Sequence, residues 1–71
     1  MDKDTFLKKA KIVKRYTLWS GNRFACVQVG TWKTDVLIRM GKNGEEISTA
    51  EAKEKAWEFY KERGGLHVSD V

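Results

Sequence analysis

The chain has 71 residues and a formal net charge of +4, with 34% charged and 41% hydrophobic residues. A single domain of this size has a small core, an expected stability of about 3–5 kcal/mol and little room for an enclosed active site. The one cysteine excludes an internal disulfide, and no apolar run is long enough to predict a signal peptide or a membrane span, so we expect a cytoplasmic protein.

A short amino-terminal helix is the first predicted element. Asp2 or Asp4 is a suitable N-cap, because a carboxylate accepts hydrogen bonds from the first backbone N–H groups. The end of the helix is predicted only to lie between Lys9 and Lys14, since no Gly or Pro separates it from the first strand. Its apolar positions are Phe6, Leu7, Ala10 and Val13.

A three-stranded antiparallel meander is predicted between Arg15 and Met40. Gly21-Asn22 tolerates positive φ and lies between two runs rich in β-branched and aromatic residues, which is typical of a two-residue hairpin loop. A second tight turn is predicted on Thr31-Trp32, after Gly30. The opposite pairs that these turns predict are Leu18 with Ala25, Tyr16 with Val27, Trp19 with Phe24, Val27 with Val36, and Ala25 with Ile38.

The predicted register also predicts the two faces of the sheet, because strand side chains alternate between them. We expect the helices to cover the more apolar face. That face carries Tyr16, Leu18, Ala25, Val27, Val29, Val36, Ile38 and Met40. The other, half-polar face carries the rows Arg15-Gln28-Asp35, Thr17-Cys26-Leu37 and Trp19-Phe24-Arg39.

The carboxy-terminal helix is predicted from its N-cap. Ser48 and Glu51 form a capping box, which indicates that the helix begins near Thr49. Gly64-Gly65 ends it. Trp57 lies off the apolar stripe, where it either covers the edge of the core or contacts a partner. The stripe consists of Ala52, Ala56 and Phe59, with Tyr60 beside them.

The predicted order is therefore α-β-β-β-α. We expect an α+β domain in which both helices pack on one face of a three-stranded antiparallel meander. The domain is expected to span residues 1–65, and residues 66–71 are expected to form a short tail.

Positive charge is concentrated near the amino terminus, whereas most acids follow Glu45. A basic end suits a phosphate backbone, because each neutralised phosphate releases counterions. A solvated helix face is the alternative explanation of the cluster. The basic residues concerned are Lys3, Lys8, Lys9, Lys11, Lys14 and Arg15.

The loop before the last helix contains Gly41, Gly44 and Ser48, and the helix contains the motif Ala52-Lys53-x-x-Ala56. With the α-β-β-β-α order, these residues resemble the double-stranded-RNA-binding domain. That family has Lys-Lys-x-Ala-Lys where this chain has Thr49-Ala50-Glu51-Ala52-Lys53, so Lys53 alone matches among its three phosphate-binding lysines. The resemblance implies a duplex-RNA surface made of Lys53 and the lysines of the first helix.

Three strands followed by a helix also look like the amino-terminal DNA-binding domains of tyrosine-recombinase integrases, which lay the uncovered sheet face in the major groove. Arg and Gln are able to make bidentate contacts to base edges. A relative of this kind is expected to be an accessory factor rather than a recombinase. The residues that the resemblance implies in the groove are Arg15, Thr17, Gln28 and Arg39, with Asp35 on the same face.

A protein partner is the alternative ligand of the same face. Trp19, Phe24 and Leu37 form a semi-apolar patch rimmed by Arg15 and Arg39, which is the composition of interface anchors. The chain is then a protein-binding inhibitor or adaptor, of the kind that phages and mobile elements often carry. The amino-terminal helix, or a second copy of the chain in a homodimer, is a further candidate occupant.

Catalysis, metal binding and cofactor binding are not predicted. His67 lies in the tail, and Cys26 has no histidine or acid at a predictable distance. One histidine and one cysteine far apart in sequence do not make a zinc site. Ser69-Asp70-Val71 fits a carboxylate motif that adds to a sheet edge, but three residues match such a motif too easily to support a prediction.

We therefore expect a small non-enzymatic accessory protein that binds a DNA or RNA duplex through its basic surface, its open sheet face, or both. The expected nucleic-acid-binding residues are Lys8, Lys11, Arg15, Gln28, Arg39 and Lys53. The expected partner-binding residues, should the ligand be a protein, are Trp19, Phe24 and Leu37.

Overall fold

The computed structural model describes residues 1–64, with the side chains of residues 1–62. It confirms the α-β-β-β-α order and one antiparallel sheet in the order β1-β2-β3. The predictions for Gly65, His67 and the tail at 66–71 lie outside the described residues. The elements are α1 Lys3–Lys9, β1 Lys11–Thr17, β2 Arg23–Val29, β3 Trp32–Arg39, α2 Thr49–Phe59 and a π-helical turn at Tyr60–Gly64.

Helix α1 is short because both of its ends are capped early. The Asp2 carboxylate accepts a hydrogen bond of 2.8 Å from the backbone N–H of Thr5, which identifies Asp2 as the N-cap. At the other end Ala10 has extended backbone angles, and its N–H donates to the Phe6 carbonyl. The chain is therefore already in β1 at Val13, and the prediction of Val13 as a helical position is wrong.

The register of β1 on β2 differs from the prediction. Thr17 pairs with Arg23, which leaves a five-residue loop at 18–22 instead of a two-residue turn. Val13 forms a bulge in β1: its neighbours Ile12 and Lys14 pair with consecutive residues of β2, and Val13 itself has no partner there. The predicted pairs of Leu18, Tyr16 and Trp19 are wrong. The observed pairs are Tyr16 with Phe24, Arg15 with Ala25, Lys14 with Cys26, Ile12 with Val27 and Lys11 with Gln28.

The turn between β2 and β3 lies one residue earlier than predicted. Gly30 adopts φ +61°, so Gly30-Thr31 forms the turn and Val29 pairs with Trp32. The predicted pairings of β2 with β3 are therefore wrong by two residues. Because a shift of two preserves the faces, the buried side of β3 is as predicted, and Trp32 joins it.

The core lies between the sheet and the two helices. Phe6 of α1 is fully buried, and its ring packs 5.2 Å from the rings of Trp57 and Tyr60 and 5.9 Å from that of Trp32, measured between centroids. This aromatic cluster joins α1 to α2 and to the start of β3. The buried core residues are Phe6, Ala10, Ala25, Val27, Val29, Trp32, Val36, Ile38, Ala52 and Ala56.

Three residues predicted on the buried face are not in the core. Tyr16 lies on the opposite face of the sheet, because it pairs with Phe24 rather than with Val27. Leu18 is in the loop after β1 and Met40 follows the end of β3, and both are exposed. The loop before β2 was predicted with two residues and has five, which shifts the register of β1 on β2 by an odd number of residues. An odd shift moves each side chain to the other face of the sheet, which explains the wrong face predicted for Tyr16.

Helix α2 begins as predicted. The backbone N–H of Glu51 donates to the Ser48 hydroxyl at 3.1 Å, which confirms Ser48 as the N-cap and Thr49 as the first helical residue. Phe59, predicted in the apolar stripe, is 40% exposed. Because Phe6 of α1 lies against Trp57, the buried side of the helix is turned towards Trp57 and away from Phe59.

Within residues 1–64, no helix combines the length and the apolar character that crossing a membrane requires.

Replacement of Ala56 by Leu tests the packing of α2 on the sheet. Ala56 is fully buried, so we expect Ala56→Leu to overpack the interface and lower the free energy of unfolding by about 1–3 kcal/mol. Ala50→Leu is the matched control, because Ala50 lies exposed in the first turn of the same helix. Urea denaturation measures both. Equal stability of the two variants would show that Ala56 does not face the sheet.

Candidate functional site

The sheet has one face turned away from the helices, which we call the open face. Because α2 and α1 pack on the side of Ala25, Val27 and Val36, alternation places the neighbouring residues on the opposite side. The open face comprises three rows of paired residues. These rows are Lys11–Gln28–Lys33, Lys14–Cys26–Asp35 and Tyr16–Phe24–Leu37.

Two aromatic rings lie side by side on the open face. The centroids of Tyr16 and Phe24 are 5.6 Å apart and the ring planes differ by 15°. Both side chains are half-buried, so part of each ring is accessible to solvent. The Lys14 ammonium lies 5.4 Å from the centroid of the Tyr16 ring. Leu37 completes the apolar row on β3.

The Tyr16 side chain reaches across the sheet. Desolvation, and then the interaction of its hydroxyl with the Asp35 carboxylate, raises the pKa of Tyr16 above its ordinary value. Tyr16 is on β1 and Asp35 is on β3, so the ring extends over β2. Cys26, in the centre of the face, is buried beneath these larger neighbours. The phenol ring is therefore held in a defined position rather than projecting freely.

A fully exposed tryptophan stands at the end of the sheet next to the aromatic row. Trp19 lies in the loop between β1 and β2, beside the half-exposed Leu18. We call residues 18–22 the Trp loop. Inside it, the N–H of Leu18 donates to the Asn22 carbonyl at 2.8 Å, and the N–H of Gly21 donates to the Leu18 carbonyl at 2.9 Å.

The Trp loop is also tied to the segment that follows β3. The Arg39 guanidinium donates to the Gly21 carbonyl at 3.2 Å, and the backbone N–H of Gly41 donates to Asn22 Oδ1 at 2.8 Å. These bonds join residues 18 and 19 positions apart in sequence. Trp19 is therefore presented by an anchored loop, although its own side chain is in water.

Charge is divided unevenly along the sequence. Residues 1–44 contain ten Lys and Arg and three Asp, whereas residues 45–62 contain six Glu and three Lys. Among the described residues, the ion pairs are Lys3–Glu54, Arg23–Glu46 and Lys61–Glu58, which involve the helices or the loop before α2. Lys11, Lys14 and Lys33 of the open face take part in none of these pairs, and Asp35 is the one acid in its three rows.

The predicted nucleic-acid-binding residues do not form one surface. Lys11 and Gln28 lie opposite each other on the open face. Lys8 is exposed at the end of α1, and Lys53 is half-buried on α2, so both are on the helix side. Arg39 is partly buried and bonded to the Trp loop, which makes it a structural anchor there.

Two residues expected on the open face are on the helix side. Arg15 pairs with the buried Ala25, and its guanidinium donates to the Thr49 hydroxyl at 3.4 Å. Thr17 pairs with Arg23, whose guanidinium donates to the Thr17 hydroxyl at 3.0 Å. The prediction of Arg15 and Thr17 as groove-facing residues is wrong, because the five-residue loop shifts β1 by an odd number of positions relative to the prediction.

Two of the three predicted partner-binding residues are brought together, and the third, Trp19, projects into solvent. Phe24 and Leu37 are paired across β2 and β3, and Trp19 is at the same end of the sheet. Tyr16 and Lys33 were missed by the sequence prediction, and Lys14 was predicted only as a member of the basic cluster. The run of β-prone residues from Lys11 to Thr17, directly after Ala10, could have predicted that the first strand begins at Lys11 and includes Lys14 and Tyr16.

Among the described residues, no group of three or more His, Cys, Asp or Glu side chains is arranged to hold a metal ion. No protein-family model matches the chain, and no curated protein or solved structure is significantly similar to it. The two resemblances drawn from the sequence therefore gain no support from these comparisons. The case for a function depends on the open face and the Trp loop.

Replacement of Gly21 tests the anchoring of the Trp loop. Gly21 has φ +94°, and a Cβ there would lie 2.6 Å from Lys42 Cγ and 2.7 Å from Lys42 N. Gly30→Ala is the control, because Gly30 has φ +61° but open space around it. We expect Gly30→Ala to cost about 1 kcal/mol for the left-handed backbone and Gly21→Ala to cost more. An equal or smaller loss of stability for Gly21→Ala on urea denaturation would contradict the contact.

Asp35→Asn tests the position of the Tyr16 ring. The neutral phenol is favoured in the folded protein, so this environment stabilises the fold below the ordinary tyrosine pKa, about 10, and the effect is lost as the pH rises through the raised value. Asp35→Asn removes the nearby negative charge, so the pKa of Tyr16 should fall, while desolvation keeps part of the shift. An NMR titration of the Tyr16 ring measures it. Identical titrations of the two proteins would place the hydroxyl away from Asp35.

Proposed function

We propose that the protein is a small non-enzymatic accessory protein that binds nucleic acid through the open face. The observation that carries the proposal is the pair of accessible rings of Tyr16 and Phe24 on a face whose charged residues are mainly lysines. Nucleic acid offers both matching features, a negatively charged backbone and flat bases.

The distribution of charge supports this orientation. The lysines of the open face lie opposite the side where the six Glu of residues 45–62 are concentrated. A polyanion is attracted to the open face, because its rows carry three lysines and one acid. Lys11 and Lys33 flank Gln28 in one row, and Lys14 lies in the next, so the positive charges follow the sheet over two rows.

A protein partner is the second candidate, and one observation favours it. Trp19 is fully exposed on an anchored loop, with Leu18 and the exposed Met40 at the same end of the sheet. Tryptophan is the residue type most enriched among the hot spots of protein interfaces. A protein recognised in this way would lose affinity with Trp19→Ala and would respond little to salt or to the lysines of the open face.

Fluorescence anisotropy with labelled oligonucleotides at two salt concentrations tests the proposal. We expect the double variant Lys14→Ala/Lys33→Ala to bind more weakly and to lower the slope of log affinity against log salt by about 0.7–0.9 for each phosphate that is no longer neutralised. The matched control is Lys53→Ala/Lys55→Ala, which removes the same charge from α2. The control should retain most of the affinity, since it changes only the long-range field.

Two outcomes would contradict the proposal. One is an equal loss of affinity in the two double variants, which would mean that net charge alone determines binding. The other is the absence of any affinity tighter than about 100 μM at physiological salt, the weak end of ordinary non-specific binding. In that case the protein-binding candidate replaces it.

A further inference from the structure

We infer that the open face binds single-stranded nucleic acid, whose bases stack on the rings of Tyr16, Phe24 and Trp19. The inference rests on the proposed function and specifies its ligand. Aromatic side chains gain from contact with the flat faces of bases, which are available in a single strand and hidden inside a duplex.

The groups that would read a duplex groove are engaged elsewhere. The Gln28 amide donates to the Gly30 carbonyl at 2.7 Å, so one of its two N–H groups is used within the adjoining turn. The Arg15 and Arg39 guanidiniums donate to Thr49 and Gly21 respectively. Direct readout of a duplex needs such donors pointing at base edges. The centre of the face is occupied by the small, buried Cys26, next to the row of Tyr16 and Phe24.

The rings are placed to act together. The rings of Tyr16 and Phe24 are stacked on each other with planes 15° apart, so a base that contacts the outer face of the pair continues the same stack. Trp19 is fully exposed in the Trp loop, one residue pair beyond this row, and offers a third ring at the same end of the sheet. The three rings come from β1, β2 and the loop that joins them.

The lysines of the open face lie where they can contact the phosphates of the same single-stranded nucleic acid. The Lys14 ammonium lies over the Tyr16 ring, 5.4 Å from its centroid, so a base that stacks on this ring displaces the ammonium towards the phosphates of its own ligand. Lys11 and Lys33 are in the row at the other end of the face, on the two edge strands. A single-stranded nucleic acid that runs from the Trp loop along the sheet therefore contacts the aromatic rings first, and then the ammonium groups of Lys11 and Lys33.

The test compares three ligands of about ten nucleotides, a length within the usual range of single-stranded sites. They are a pyrimidine-rich single strand, its duplex and an abasic strand that carries the same phosphates without bases. Anisotropy at one salt concentration should show the single strand bound at least about tenfold more tightly than either of the others. Binding of the single strand should also quench tryptophan fluorescence, and Trp19→Phe should remove most of the quenching, since Trp32 is buried and the half-buried Trp57 lies on the helix side.

Ring removal supplies the second part of the test. Tyr16→Ala, Phe24→Ala and Trp19→Ala should each weaken binding of the single strand by about 5- to 100-fold, whereas Phe24→Tyr, which keeps a ring, should retain it. Phe59→Ala is the matched control, because Phe59 is an exposed phenylalanine of α2. Trp19→Ala leaves the core untouched, so its effect on binding is separate from any effect on folding.

The outcomes separate the inference from the proposal on which it rests. Equal or tighter binding of the duplex or the abasic strand, with no loss of affinity in the ring variants, overturns the single-strand inference and leaves nucleic-acid binding standing. No binding of any of the three ligands overturns both.

Discussion

The position of β1 along β2 determines what the open face can do. Five residues connect the strands, so Tyr16 meets Phe24 and Arg15 meets Ala25, and a bulge at Val13 changes the pairing only beyond them, at Ile12 and Lys11. A shift by one residue would exchange the faces, placing Arg15 on the open face and Tyr16 under the helices. The two bonds from Arg39 and Gly41 to the Trp loop hold the connection in the length that this register requires. The aromatic pair, the lysine rows and the exposure of Trp19 all follow from it.

The helix side of the sheet provides the stability of the fold, and the open face provides the surface that we propose for binding. On the helix side, small Ala52 and Ala56 let α2 approach the strands closely, and the aromatic cluster around Phe6 fills the space towards α1. Hydrophobic burial on this side supplies the stability that a chain of 71 residues needs. The open face contributes less to the core and keeps aromatic surface in contact with water. Exposed aromatic surface of this kind is typical of a binding site.

Local chemistry was sufficient to predict much of the fold. The start of α2 at Ser48 depends on neighbours in sequence, as do the element order and the faces of β2 and β3. The register of β1 does not, because the bonds that secure the Trp loop come from residues about 18 positions away, and Gly21-Asn22 alone predicts a shorter turn. Trp19, Phe24 and Lys11 were identified as site residues from the sequence, whereas Tyr16, Lys14 and Lys33 required the observed pairing.

The most direct test of the account is the map of backbone amide NMR shifts during titration with a single-stranded oligonucleotide. The account predicts that the largest shifts fall in β1, β2 and the Trp loop, at Tyr16, Phe24 and Trp19 and the lysine rows beside them. The amides of α2 should change little, since that helix is on the other side of the sheet. Amide shift changes concentrated on α1 and Lys53, with little change on the open face, would contradict the account.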